Sequence, residues 1–85
     1  MILPTIHLNG TSRESLVDDA CIARRALESA ITALVQMRPH ERDYYPAPGT
    51  FGPASDEHEQ RIQAVRRVSD ELMEWTQKVM EGDSD

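Results

Sequence analysis

The chain has 85 residues, 39% hydrophobic and 28% charged, with a formal net charge of −6. Such totals describe one small globular domain, and the acidic balance argues against general nucleic-acid binding, which needs a basic footprint. Cys21 is the single cysteine, so an internal disulfide is excluded, and no apolar run approaches the ~20 residues of a membrane span.

A domain this small has little core, and self-association is the expected supplement. The N-terminus lacks a basic stretch followed by an apolar one, which reads as a cytoplasmic protein. The acidic excess is concentrated at one end. Residues 68–85 carry six acids against Lys78 alone, whereas the eight arginines all precede them.

Residues 1–10 read as an extended arm. Ile6 and Leu8 alternate with Thr5, His7 and Asn9, the period of a half-buried strand, while Pro4 confines any strand to an edge. The arm is expected either to cover its own hairpin or to pair with another subunit. Asn9-Gly10 turns the chain.

A helix is predicted over 11–38. Thr11 and Glu14 have the capping-box spacing, and Pro39 stops the helix. Its apolar stripe is Leu16, Ala20, Ala23, Leu27, Ala30, Leu34 and Met37, a seven-residue repeat that favours near-parallel packing. Val17, Ile31 and Val35 widen this face beyond what one partner helix covers. Arg24 and Glu28 stand at helical pair spacing.

Residues 39–53 form a loop that holds three of the four aromatic residues (Tyr44, Tyr45 and Phe51) and four of the five prolines. A connection of this length is usually functional or disordered, and its aromatic content argues against disorder.

The second helix is predicted over 54–81. Gly52 or Ser55 is the candidate N-cap, and Gly82 stops the helix. Its stripe is His58, Ile62, Val65, Val68, Leu72, Trp75 and Val79, with Ser69, Met73, Thr76 and Met80 as a softer stripe beside it. His58 is expected to be buried and hydrogen-bonded. Residues 82–85 are an acidic, frayed tail. The fold class is therefore all-α: a long antiparallel helical hairpin with an extended N-terminal arm, packed as an oligomeric helical bundle, most simply a four-helix bundle from two copies.

No catalytic motif is present, so the protein is expected not to be an enzyme and to need no cofactor. His7, His40 and His58 are too scattered for a metal site. The loop instead has the parts of a binding site. Tyr44, Tyr45 and Phe51 offer flat faces on which bases stack. Arg38 and Arg42 suit anionic oxygens, with His40 and His7 as polar contacts.

IHLNGTS at residues 6–12 together with RDYYP at residues 42–46 resembles a family of small proteins encoded by bacteriophages and prophages, with the same arm, helix, loop and helix layout. The hairpin architecture is also similar to phage proteins that oligomerise and sequester the cyclic-nucleotide signals of bacterial immunity, although no motif matches them residue by residue. The family resemblance implies a phage source and a layout, and with the aromatic and arginine-bearing loop the expectation is a phage accessory protein that counters host defence by binding a nucleotide-derived signal. The alternative is an inhibitor that docks on a host defence protein, such as a CRISPR component, through the acidic surface of Asp70, Glu71, Glu74 and Glu81.

Overall fold

The computed structural model describes residues 1–82; of the predicted tail at 82–85, all but Gly82 lies outside them. Two long helices form an antiparallel hairpin, α1 over Arg13–Gln36 and α2 over Phe51–Glu81. A single 3₁₀ turn, Glu41–Asp43, lies between them. The described residues contain no strand. The hairpin is a rod of 62 × 19 × 16 Å with a radius of gyration of 18.8 Å, against about 12 Å for a compact domain of this length.

The limits of α1 lie two residues inside the predicted ones, and α2 starts three residues early but ends at Glu81 as predicted. Ser12, not Thr11, is the N-cap of α1: its backbone is extended and its hydroxyl accepts from the Ser15 N–H at 3.1 Å. The second helix starts at Phe51 rather than residue 54, with Thr50 as N-cap. Pro53 then sits in the first turn, where its missing N–H costs no intrahelical bond. The Ala54 N–H makes the first such bond, to the Thr50 carbonyl at 3.0 Å.

The seam between the helices is narrower than the predicted stripes. On α1 the buried or half-buried positions are Arg13, Leu16, Val17, Ala20, Cys21, Arg24, Leu27, Ile31 and Leu34, while Ala23, Ala30 and Met37 are exposed. Ile31 displaces Ala30 from the seam because it buries more apolar surface. On α2, Ile62 is completely buried and Val79 nearly so, but Val68 is 48% exposed and Ser69 takes the seam position at 2%.

Polar side chains cross this seam at three levels. Near the arm end, the Arg13 Nε–H donates to the Val79 carbonyl at 2.9 Å. At mid-length, the Arg24 Nε–H donates to the Ser69 carbonyl at 3.3 Å, and the Ser69 hydroxyl donates to Glu28 Oε1 at 3.0 Å. Arg24 therefore bonds across the hairpin rather than pairing along its own helix with Glu28, which stands at helical pair spacing. Near the loop end, His58 is 2% exposed and its Nε2–H donates to the Leu34 carbonyl at 2.6 Å. Its Nδ1 accepts from Arg61 Nη1 at 3.2 Å, and these two partners together define the tautomer.

The outer hooks have one logic. Near the end of each helix one carbonyl takes a second donor: the Leu34 carbonyl, already bonded by the Met37 N–H at 3.2 Å, and the Val79 carbonyl, bonded by the Gly82 N–H at 3.4 Å, each also accept a side chain from near the start of the other helix. His58 serves α1, whose last turn has no basic residue, and Arg13 serves α2. Two antiparallel helices with these hooks have one register, because a one-residue slip would move every donor off its carbonyl. Among the described residues, no buried side-chain polar atom lacks a partner.

The arm does not form the predicted alternating strand. Leu3 and Ile6 are half-buried, whereas Ile2 and Leu8 are 95% and 98% exposed. Leu3, Pro4, Thr5 and Ile6 line a cleft with Arg13, Lys78, Val79 and Gly82, so the arm lies on its own hairpin at the end remote from the loop. A turn closed by the Gly10 N–H on the His7 carbonyl at 3.1 Å leads into α1. A Cβ at Gly10 would meet the tip of the exposed His7 ring at 2.6 Å, so a larger residue there requires that side chain to turn aside.

Candidate functional site

The Pro-rich connection is not a slack linker. Successive turns tie it together. Backbone N–H groups of Asp43 and Tyr44 donate to the His40 and Glu41 carbonyls at 3.0 Å, and Tyr45 N–H also reaches the Glu41 carbonyl at 3.0 Å. The Ala47 N–H then bonds the Tyr44 carbonyl at 3.0 Å. The Thr50 hydroxyl donates to the Ala47 carbonyl at 2.7 Å. Gly49 has φ 84°, the one positive φ among the described residues, and swings the chain into α2. Prolines at 46 and 48 fix two more φ angles. The loop is pre-organised by its own backbone bonds.

The aromatic residues divide into two roles. Tyr44 is half-buried and its ring meets Phe51 at 6.2 Å between centroids, tilted by 55°, within the range of favourable aromatic pairs. These rings plug the open end of the hairpin. Tyr45 is 74% exposed and projects from the loop.

The cations divide likewise. Arg38 pairs with Glu59 at 3.1 Å, an exposed contact that ties the end of α1 to α2. The Glu59 carboxyl is held below its ordinary range, first by the hydrogen bond from the Gln63 amide at 3.1 Å and then by Arg38. His40 and Arg42 are exposed, and their side chains make no hydrogen bond or ion pair among the described residues. The tip therefore presents Tyr45, Arg42 and His40 to solvent together with the exposed carboxylates of Glu41 and Asp43.

His7 does not join this group. It lies in the arm, at the opposite end of the 62 Å rod, so a site within one chain cannot contain both His7 and the loop. His58, as expected, is a seam residue. Sequence reasoning missed the bridge of Arg24, Ser69 and Glu28. Its one visible signal is a small polar residue, Ser69, one position beyond the apolar stripe.

Among the described residues, no group of three or more His, Cys, Asp or Glu could hold a metal ion, and no helix is long and apolar enough to cross a membrane. The fold and the loop together define a helical hairpin whose turn-tied tip carries exposed aromatic, basic and acidic side chains. Comparison with protein-family models, with curated proteins and with solved structures finds no match.

Proposed function

We propose that this protein is a non-enzymatic binding protein of bacteriophage origin that acts in the host cytoplasm, where it sequesters a nucleotide-derived immune signal. The observation that carries this reading is the pre-organised tip, where Tyr45 is 74% exposed in the same loop as the unengaged Arg42 and His40. A base stacks on an aromatic face, and a guanidinium meets phosphate in a paired geometry. A loop already held by backbone bonds loses little freedom on binding. Tyr44, Phe51 and Arg38 support the tip rather than contact the ligand. The phage setting rests on the IHLNGTS and RDYYP motifs.

The test is isothermal titration with a panel of cyclic mono-, di- and trinucleotides, on the parent, Tyr45→Ala and Arg42→Ala. At ~1–3 kcal/mol for a stacked base, Tyr45→Ala is expected to weaken binding about 5- to 150-fold. A panel with no binder overturns the ligand class. A binder held equally well by both variants overturns the site.

One observation favours a second reading. Asp70, Glu71, Glu74 and Glu81 are all exposed, and the cation on their helix face, Lys78, is taken by Glu74 at 3.2 Å. Such a surface fits a basic groove on a host defence protein, with charge steering the encounter. Reversal of Asp70 and Glu81 to Lys would then abolish inhibition in infected cells and leave nucleotide affinity unchanged.

A further inference from the structure

One broad side of the rod is apolar and only half covered. Helical periodicity aligns Leu27 and Leu34 of α1 with Val65, Val68, Leu72 and Trp75 of α2 along the side opposite the Glu28–Ser69 bridge. Val68 is 48% exposed and the other five are half-buried. The predicted apolar stripes run along this side, displaced from the seam. The patch is centred on the middle of the hairpin, because the seam pairs His58 with Leu34 and Val79 with Arg13.

Surface area says how much is left uncovered. The chain exposes 6490 Å². A compact monomer of 9.6 kDa exposes about 5,100 Å². The excess, about 1,400 Å², is spread over the whole elongated chain, and it leaves room for the ~800 Å² that each partner contributes to a standard stable interface.

We infer that this side docks on the same side of a second copy, with the two hairpins antiparallel, to give a four-helix bundle. This rests on the hairpin face alone, whatever the tip binds. A patch centred on the rod meets its own copy over the full length about a two-fold axis. Charge selects the orientation. Residues 11–25 and 69–82, the arm half, carry seven acids and four basic residues, against six and five in residues 26–68. Parallel docking would set the two acidic halves together, whereas antiparallel docking sets each beside the nearly neutral half of the other. It also puts each arm, with His7, at the same end as the partner's loop.

The experiment is sedimentation equilibrium on the full chain, with melting followed over a hundredfold range of concentration. The parent is expected at twice 9.6 kDa, with a melting temperature that rises with concentration. A parent of single mass and constant melting temperature overturns the inference. Val68→Glu is expected to lower the association constant at least a hundredfold, and Ile22→Glu, on the outer face of α1, to leave it unchanged; the reverse pattern overturns the assigned face. Spin labels at Ala47→Cys in a Cys21→Ser chain report orientation. Antiparallel docking places the two loops at opposite ends of the 62 Å rod, so distances of about 50–60 Å are expected; distances under about 25 Å, as two loops ~10 Å apart would give with helices packed at 8–10 Å, overturn it.

Discussion

Two isoleucines of the same size sit at opposite extremes of burial, and replacing each by alanine tests the seam. Ile62 is 0% exposed and Ile22 is 61% exposed. Ile62→Ala deletes three carbons, each worth about 0.8 kcal/mol of transfer from water. A residual cavity of on the order of 40 Å³ adds about 1 kcal/mol. Alanine returns a few tenths of a kcal/mol through its higher helix propensity, so the expected loss is about 3 kcal/mol. A domain of this length has only ~4–13 kcal/mol of stability in total. Ile22→Ala removes little buried surface and gains the same propensity, so its effect is expected within about 0.5 kcal/mol. The assay is urea unfolding followed by circular dichroism at 222 nm, with all chains at one concentration. Equal costs for the two substitutions, or a cost below about 1 kcal/mol for Ile62→Ala, would refute the assignment of the seam.

Two glycines of the loop region should respond oppositely to alanine. Gly49→Ala is expected to cost about 1 kcal/mol because φ 84° is unfavourable for a residue with a Cβ, although nothing lies within 4 Å. Gly52→Ala, in the first turn of α2 with open space around it, is expected to be neutral or to gain up to about 0.5 kcal/mol; the same urea assay separates them. Glu59 offers a pH test. Its carboxyl is depressed in the folded chain, so its contribution to stability is present above the unfolded pKa and is lost as pH falls through the lower folded value. An NMR titration should find Glu59 below the ordinary carboxylate range, and Gln63→Ala should move it upward; an unmoved titration in that variant removes the Gln63 amide as the main cause.

Much of the architecture is written in the order of the residues. Two long runs without Gly or Pro, separated by a Pro- and aromatic-rich segment, require two helices and a loop, because only proline and glycine end a helix this sharply. Ile62, Val79 and His58 were legible as seam residues from their 3–4 spacing. The exposed Tyr45 and Arg42 were legible as a candidate tip from composition. The sequence did not disclose which edge of each stripe faces the other helix. Ala23, Ala30, Met37 and Val68 belong to an apolar stripe, yet they lie outside the seam. A heptad pattern defines a face about 100° wide, and the part of it that closes depends on long-range bonds.

Those bonds are tertiary in origin. His58 on the Leu34 carbonyl, Arg24 on the Ser69 carbonyl and Arg13 on the Val79 carbonyl join residues 24, 45 and 66 positions apart. Each hook adds a side-chain donor from the opposite helix to a carbonyl near the seam, and in the register they share an apolar side is left half-covered. The same holds for the tip. Local sequence determined that aromatic rings and cations share the loop. Only the folded chain decided that Tyr44 and Phe51 pack on each other, that Glu59 engages Arg38, and that His7 lies at the far end. A side chain's neighbours across the hairpin depend on register, and register is a property of both helices at once.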